Sequence, residues 1–267
     1  MSETTWLIES AALSVRRGKQ LVLRELSFRL AAGECVSLIG PNGSGKSTLL
    51  LAMLGCLRPQ AGLLTLDGTP MHALPPRRRG RFIAYVPQTI ERLPAFTIYE
   101  LVAGGRYPHV SPWRSLSLAD REIVDQALET CGLTDLADRP VTAVSGGERQ
   151  KTLIAAAIAQ DPQLLLLDEP TTALDPAVQV ELARLLRDWH ARGRALLVVS
   201  HELQLPAALG GRVLALRGGR IVADGPAGEV LRPAQLTSIF GADFVSGRTA
   251  CGREFVLPAW VSAAKLK

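Results

Sequence analysis

Residues 35–48 read CVSLIGPNGSGKST, and they decide how the rest of the chain is interpreted. The first five residues form a short apolar run, and the next eight match the pattern G-x-x-x-x-G-K-[ST]. The glycines let the backbone wrap closely enough for its N–H groups to face phosphate oxygens. A helix that starts at Lys46 adds the positive end of its dipole. The stretch therefore predicts a phosphate-binding loop between a buried strand and a helix.

This loop gives most of its residues an expected role. Lys46 is expected to reach the β- and γ-phosphates of a nucleotide, Ser47 to ligate Mg²⁺, and Thr48 to lie near the α-phosphate. The backbone of the preceding residues completes the cradle, and these residues are Gly40, Pro41, Asn42, Gly43, Ser44 and Gly45.

A second motif consists of four leucines followed by Asp168 and Glu169. Carboxylates that follow a buried parallel strand lie at the ligand-binding edge of the sheet. Asp168 is expected to hold Mg²⁺ through water, and Glu169 to polarise the attacking water as the catalytic base. Alone, such a pair would often only cap a turn, and it is the phosphate-binding loop that favours the catalytic interpretation.

Strands and helices alternate around both motifs, which predicts an α/β fold with a parallel sheet covered on both faces. Strands are expected at 6–9, 12–15, 25–30, 35–39, 62–66, 81–86, 163–167 and 195–199, with a hairpin at 214–223 around Gly218-Gly219. Helices are expected at 46–57, from Ser117 to Cys131, from Ser145 to Ala159 and at 177–191. Residues 97–143 interrupt the core as a helical insertion, and the cluster Arg77-Arg78-Arg79 with Arg81 is interpreted as an exposed loop that enters a strand.

The composition fits one large domain that does not cross a membrane. The chain has 267 residues, of which 47% are apolar and 21% charged, enough to bury a real core. No apolar run approaches the roughly 18 residues that span a bilayer, and the N-terminus lacks signal-peptide features. Burial as small apolar side chains is expected for Cys35, Cys56, Cys131 and Cys251. The net charge of +5 is spread over scattered arginines, so no nucleic-acid partner is expected.

Residues 144–148, VSGGE, open a helix with two glycines behind a serine. They follow the phosphate-binding loop and precede Asp168-Glu169 by about twenty residues. In the order and spacing of these three motifs, the chain resembles the ABC ATPase family. The resemblance implies an ATP- and Mg²⁺-dependent ATPase, two copies of which close head to tail around two ATPs. It also implies that Ser145, Gly146 and Gly147 complete the γ-phosphate site of the partner copy, and that Asp175 communicates across the dimer.

Other roles and boundaries also follow from this resemblance. Gln88 matches the glutamine that senses Mg²⁺ and hinges the helical insertion, and His201 matches the switch histidine that contacts the γ-phosphate. Residues 1–267 are then a single nucleotide-binding domain with an antiparallel β subdomain, a helical subdomain at 89–160 and a C-terminal extension at 225–267.

Three positions depart from the family pattern. Arg17 falls where an aromatic residue usually stacks on adenine, although arginine can also stack as a flat cation. Glu148 and Val144 replace the glutamine and leucine of the usual signature L-S-G-G-Q, while the serine and glycines are kept. Ala156 stands where the signature helix often carries arginine, and nothing in the sequence explains it.

The motif order also separates the classes of this superfamily. A chromosome-maintenance ATPase needs a long coiled coil between the motifs, whereas only about 55 residues without heptads separate Gln88 from Ser145. A ribosome-associated ABC protein generally carries two cassettes, and here each motif occurs once. The alternatives that stay open are a transporter subunit for another substrate and a soluble, non-transport ABC ATPase.

Within the transporters, Gly105-Arg-Tyr-Pro-His109, Pro112-Trp113 and the tail at 233–241 and 255–258 resemble one importer branch. This branch serves iron–siderophore, haem and cobalamin permeases. The resemblance implies a homodimer bound to a dimer of a multi-helix permease, with a solute-binding protein acting indirectly. It places the chain peripherally on the cytoplasmic face of the inner or plasma membrane.

Overall fold

The computed structural model describes residues 6–88, 90, 95–111, 114–248 and 254–259. Its strands are β1 (Trp6–Arg17), β2 (Gln20–Ala31), β3 (Cys35–Ile39), β4 (Ala61–Leu66), β5 (Thr69–Pro70), β6 (Ile83–Val86), β7 (Leu164–Asp168), β8 (Ala195–Val199), β9 (Arg212–Arg217), β10 (Arg220–Pro226), β11 (Phe244–Arg248) and β12 (Glu254–Pro258). Its α-helices are α1 (Lys46–Met53), α2 (Pro76–Phe82), α3 (Ile98–Gly104), α4 (Leu118–Thr130), α5 (Gly146–Ala159), α6 (Pro176–Ala191), α7 (Gln204–Leu209), α8 (Ala227–Val230) and α9 (Pro233–Phe240).

A six-stranded sheet in the order β10-β9-β3-β8-β7-β6 forms the centre of the fold. Its strands pair in parallel except β10, which returns antiparallel to β9 through the predicted Gly218-Gly219 turn. Every residue of β3, β7 and β8 is buried, which explains why these strands are continuous apolar runs rather than alternating ones. The predicted α/β fold with a parallel core is confirmed.

A second, antiparallel sheet has the order β2-β1-β4-β5. The prediction of two short strands at 6–9 and 12–15 was wrong, because β1 runs unbroken from Trp6 to Arg17. The pairing with β2 shifts between Ser10 and Leu13, and Ala12 between them has φ 48°. A bulge at this point changes which side chains face inward without ending the strand, and that disturbs the alternation on which the prediction depended.

Helices cover the central sheet on both sides. One core cluster joins α1 to the strands of both sheets, and a second joins β6, β7 and β8 to helices α3, α4, α5 and α6. A third packs α8 and α9 against β9, so the first part of the predicted C-terminal extension contributes to the core. Among the described residues no helix is both long and apolar enough to cross a bilayer.

Local chemistry explains where several helices begin. Ser117, where the sequence predicted a helix to begin, caps α4 in a capping box with Asp120. Thr97 with Glu100 caps α3 in the same way. The first helix ends at Met53, earlier than the predicted end near residue 57, and Gly55 follows it with φ 69°.

The prediction of an exposed loop at the arginine cluster was wrong. Residues 76–82 form helix α2 rather than an exposed loop, and the following strand starts at Ile83 instead of Arg81. Pro76 suits the first helical position because its missing N–H would have no partner there. The Arg81 side chain donates to the Pro108 carbonyl at 3.0 Å, a contact between distant segments that local sequence patterns do not contain.

The prediction that the cysteines are buried is confirmed for two of them and wrong for a third. Cys35 and Cys131 are buried, and burial raises the pKa of their thiols to about 11 and about 12. Cys56 is exposed, and Cys251 lies outside the described residues. Within the described ranges, no cluster of three or more His, Cys, Asp or Glu side chains is placed to hold a metal ion.

Candidate functional site

The loop between β3 and α1 has the backbone geometry of a phosphate cradle. Gly40 has φ 148°, and a Cβ there would lie 2.1 Å from the Leu216 carbonyl oxygen. Gly45 has φ 110°, and a Cβ there would lie 2.6 Å from Leu23 Cδ2. Both positions therefore require glycine for backbone conformation, and Gly40 also requires it for space, because its close neighbour is a backbone atom.

Lys46 folds back over this loop. Its ammonium donates to the carbonyl oxygens of Gly40 (2.7 Å) and Pro41 (3.2 Å), and only 7% of the residue is exposed. Burial lowers its pKa, while the nearby Glu169 and Asp168 oppose that shift. A cation with so little hydration gains more from an anionic ligand than one in open water does.

The start of α1 leaves donors available for a ligand. Gly45 occupies the N-cap, no side chain caps the helix, and the first turn contains no acidic residue. The Ser44 hydroxyl is buried and has no hydrogen-bond partner within the described part of the chain. The N–H groups at a helix start carry a partial positive charge, so this end of α1 suits an anion.

Asp168 ends β7 beside the loop. The Tyr85 hydroxyl donates to Asp168 Oδ2 at 3.4 Å. Burial, followed by the charge of Glu169, raises the pKa of Asp168. The pKa of Tyr85 rises to about 12 because the phenol is partly buried and faces the same carboxylate. Tyr85 was not among the predicted site residues, although it precedes Gln88 by only three residues.

Three side chains contact the same carboxylate oxygen of Glu169. Its Oε2 lies 3.0 Å from Gln88 Nε2, 3.2 Å from Thr172 Oγ1 and 2.6 Å from His201 Nδ1. The residue itself has φ 50°, a conformation that non-glycine residues rarely adopt. Its amide donates to the Val199 carbonyl at 2.9 Å, which anchors this strained residue to β8. Three of the predicted site residues, Gln88, Glu169 and His201, are thus brought together, and Thr172 adds a contact to Glu169 that was not predicted.

These residues open onto a cavity of about 810 Å³. The predicted residues that line it are 42–48, Gln88, Glu169, His201 and Arg17; Gly40, Pro41 and Asp168 are not among the lining residues. The cavity has a second wall that was not predicted, formed by Gln20, Leu21, Val22, Arg24, Gly218 and Gly219. The Gly219 amide donates to the Ser44 carbonyl at 3.1 Å, which joins the β9–β10 turn to the loop.

Ser145, Gly146, Gly147 and Asp175 form a different surface and do not line this cavity. Ser145 caps α5, and its hydroxyl and amide both bond to Glu148 Oε2, at 2.7 and 2.8 Å. These bonds hold the pKa of Glu148 below its usual value. Asp175 caps α6 by accepting from the Val178 amide at 3.0 Å.

The starts of these two helices are adjacent. A Cβ at Gly147 would lie 3.0 Å from Val178 Cγ1, in the first turn of α6. Ser145 and Gly146 are exposed. The structure thus presents the exposed N-terminus of α5 and the Asp175 cap on one face of the molecule.

Residues 105–109 pack between α2 and the end of α5. Tyr107 is 72% exposed, and the Arg77 guanidinium lies 5.2 Å from its ring centroid. Arg106 is buried, pairs with Asp120 at 3.0 Å and donates to the Ala159 carbonyl at 2.8 Å. A Cβ at Gly105 would lie 2.1 Å from the Ala156 carbonyl oxygen, so α3 and α5 meet at their backbones. Pro112 and Trp113 of the same predicted motif lie outside the described residues.

Comparisons with known proteins agree with this geometry. The family model described as ABC transporter matches residues 23–172. The iron(3+)-hydroxamate import ATP-binding protein FhuC of Bacillus subtilis is 39% identical over 88% of this chain and 88% of its own length. The hemin import ATP-binding protein HmuV of Pseudomonas aeruginosa is 41% identical over 88% of this chain and 93% of its own.

A solved structure gives the same result for the fold. An inward-facing metal-chelate type ABC transporter aligns with a TM-score of 0.83 and 29% identity, over 95% of this chain and 97% of the other. The match therefore extends well beyond the phosphate-binding loop, into the C-terminal part of the chain.

Proposed function

The chain belongs to the ABC transporter family as one of its ATP-binding, ATP-hydrolysing subunits, and on that basis we propose that it powers the import of a bulky metal chelate. The chelate class is an iron–siderophore complex, haem or cobalamin. The observation that carries this proposal is the near full-length similarity to subunits named for iron-hydroxamate and hemin import. A subunit for another substrate and a soluble, non-transport ATPase are the alternatives against which it is tested.

The residues present fit the triphosphate of ATP. The glycine-rich loop, the uncapped start of α1, the buried Lys46 ammonium and the unpartnered Ser44 hydroxyl all offer positive charge or donors on one side of the cavity. At about 810 Å³ the cavity is of the size that small-molecule sites have. Lys46 would exchange its carbonyl partners for phosphate oxygens, and Arg17 would face the base on the opposite wall.

The donor set also fits Mg²⁺, which prefers oxygen ligands. Ser47, Asp168 and Gln88 would hold the ion directly or through water. When bound, Mg²⁺ supplies charge neutralisation for the phosphates. Burial and the charge of Glu169 raise the pKa of Asp168, whereas a bound cation would favour its charged carboxylate and so oppose that shift.

The catalytic base is Glu169 in this proposal. Its Oε2 is held by Gln88, Thr172 and His201, so the carboxylate has a fixed direction before a water molecule arrives. A fixed base lowers the cost of orienting the nucleophile for in-line attack. His201 uses Nδ1 for Glu169, which leaves Nε2, on the opposite side of the ring, for the γ-phosphate.

The active form in this proposal is a head-to-tail homodimer. Glu169 and Lys46 belong to a cavity that Ser145, Gly146 and Gly147 of the same copy do not line. The exposed start of α5 offers N–H groups to an anion, so it would complete the γ-phosphate site of a second copy, with Asp175 alongside. Closure of the dimer then provides the movement that the permease receives.

The contact with the membrane would be made through a permease. We assign residues 89–160 as the helical subdomain that receives a cytoplasmic helix of a multi-helix permease dimer, with Tyr107 exposed on that subdomain. The chain would then lie on the cytoplasmic face of the inner or plasma membrane. A solute-binding protein would act on the opposite side and touch only the permease.

Reconstitution tests the proposal directly. The chain is co-purified with the permease encoded beside it, placed in vesicles, and assayed for uptake of ferric hydroxamate, haem and cobalamin. ATP-dependent uptake of one of these, lost in Lys46→Ala, is the expected result. Uptake or ATPase stimulation by a sugar or amino acid alone would sink the substrate class and leave the transporter assignment standing. ATP hydrolysis with no permease association would favour the soluble, non-transport alternative.

A further inference from the structure

We infer that Thr171 and Glu202 act as a latch that positions His201 for ATP hydrolysis. The inference rests on the proposed function, because it assigns positioning residues to the same site. Neither residue lines the nucleotide cavity, and neither has a role in the function proposed above.

The latch joins the two segments that carry Glu169 and His201. The Thr171 hydroxyl donates to Glu202 Oε2 at 3.3 Å, and Thr171 is only 3% exposed. Thr171 follows Glu169 by two residues, and Glu202 directly follows His201. The bond therefore runs beside the Glu169–His201 contact and connects the same two loops a second time.

Ser200 fixes the other side of the histidine. Its hydroxyl donates to the Glu202 carbonyl at 2.7 Å and accepts from the Glu202 amide at 3.1 Å. Ser200 is 1% exposed, and its amide donates to the Leu38 carbonyl at the end of β3. In the chain, His201 thus lies between Ser200, which is anchored to the central sheet, and Glu202, which is anchored to Thr171.

Burial alone does not fix the direction of His201. Its side chain is 43% exposed, so few neighbours restrict its rotation. A partly exposed imidazole keeps one orientation only if its backbone and one ring nitrogen are held. The latch holds the backbone, and Glu169 holds Nδ1.

Helix α6 in turn holds Thr171. The Gln179 side chain donates to the carbonyl oxygens of Thr171 (3.4 Å) and Leu174 (3.1 Å). The loop from Glu169 to Asp175 is therefore attached to α6 at one side and to Glu202 at the other. Movement of Asp175 at a dimer interface would be passed to His201 through this loop.

Paired substitutions test the latch. Thr171→Val removes the hydroxyl at nearly constant volume, and Thr171→Ser keeps it. We expect kcat to fall about 3- to 10-fold in Thr171→Val, which corresponds to one hydrogen bond, with KM for ATP changed less than about twofold. Thr171→Ser should restore most of kcat. Glu202→Gln, which keeps an acceptor oxygen, should retain more activity than Glu202→Ala, and Thr134→Val, at an exposed threonine, serves as the control.

A double-mutant cycle distinguishes positioning from general stability. In a His201→Ala background, Thr171→Val should cause no further loss of kcat, because the residue that it positions is gone. An equal loss in both backgrounds, or a parallel rise in KM without rescue by serine, would overturn the latch. A drop in thermal midpoint that serine does not reverse, with kcat unchanged, would assign Thr171 a packing role only.

A readout without turnover separates this inference from the proposed function. Imidazole nitrogen NMR of the nucleotide-free protein reports His201, with His72, His109 and His190 as internal references. The His201 resonance should shift or broaden in Thr171→Val and recover in Thr171→Ser. An unchanged resonance contradicts the latch. A wild-type protein without Lys46-dependent ATPase activity contradicts the proposed function and leaves this NMR test intact.

Discussion

His201 and Glu169 lie at the ends of neighbouring parallel strands, and His201 Nδ1 is 2.6 Å from Glu169 Oε2. The pairing of β7 with β8 ends one residue before Glu169 and two residues before His201, so it brings the two loops that carry them side by side. The acid–imidazole contact is therefore part of the folded protein, and substitution of either residue changes the orientation of the other.

The first prediction concerns Glu169. Glu169→Gln keeps the size and an acceptor oxygen but removes the base, so ATP should still bind while turnover falls by about 10² or more. The variant should accumulate as an ATP-bound dimer in size-exclusion chromatography. Glu122→Gln, at an exposed glutamate of α4, is the control. Hydrolysis by Glu169→Gln at the wild-type rate would show that another group acts as the base.

Asp168 supports a prediction about stability and pH. Its raised pKa means that folding disfavours the charged carboxylate, so the folded protein binds its proton to a higher pH than the unfolded chain. The free energy of unfolding is lowered above the pKa that Asp168 has in the folded state. This loss disappears below the pKa of Asp168 in the unfolded chain, about 3.9. Asp168→Asn should therefore raise the thermal midpoint of the nucleotide-free protein at pH 7, by about 2–4 °C for each kcal/mol relieved.

The control for this variant is Asp188→Asn, at an exposed aspartate of α6. The gain from Asp168→Asn should shrink as the pH is lowered toward 4, and Mg²⁺-dependent hydrolysis should be lost. A lower midpoint at pH 7 would mean that attraction to Lys46 outweighs the cost of burying the carboxylate.

Arg17 leads to a prediction about the nucleotide base. Most affinity should come from the phosphate side of the cavity, with weak discrimination between ATP and GTP. Arg17→Tyr should tighten ATP binding by about 1 kcal/mol if the ring stacks on adenine, measured by isothermal titration. Arg16→Ala, at a neighbour that bonds to Gln60, is the control. A strong preference for ATP that survives Arg17→Ala would show that another residue holds the base.

Tyr107 leads to a prediction about coupling. The exposed ring lies under Arg77, so Tyr107→Ala removes a surface contact without opening the core. Uptake in vesicles should fall at least severalfold, while ATPase activity of the isolated subunit stays near wild type. Tyr107→Phe keeps the ring and should retain uptake. Equal loss of ATPase activity and uptake would indicate damage to the subunit itself rather than to its contact with the permease.

Where the signature is local, the sequence predicted the elements around the candidate site well. The strand, glycine-rich turn and helix start within residues 35–48, the buried strand before Asp168 and the start of α4 at Ser117 were each located within a few residues. The bulge at Ala12 was missed because it changes the side-chain alternation in the middle of a strand. Helix α2 was missed because its arginines bond to carbonyls about thirty residues away.

The second wall of the cavity shows a different limit. Val22 and Gly219 lie almost 200 residues apart, yet a Cβ at Gly219 would lie 2.0 Å from the Val22 carbonyl oxygen. The β9–β10 turn and the start of β2 belong to different sheets, and only the packing of these two sheet edges brings them together. The strained backbone of Glu169 also depends on a distant segment, because the hydrogen bond from its amide to the Val199 carbonyl of the neighbouring strand holds its positive φ. The backbones of Gly105 and Ala156 are in close contact. Nothing in the structure explains why position 156 carries alanine rather than arginine.

Helix α5 has the exposed Ser145 cap at one end and a crowded junction at the other. The His109 ring bonds to the Gln160 carbonyl at 2.8 Å, and the Gln160 side chain donates to the carbonyls of Gly80 and Ile83. Fourteen residues at 1.5 Å each make a lever arm of about 21 Å between these ends. A small tilt imposed at the His109 end therefore becomes a displacement at Ser145. In the proposed dimer, a contact made at residues 105–109 would thereby change the position of the Ser145 cap without touching a nucleotide.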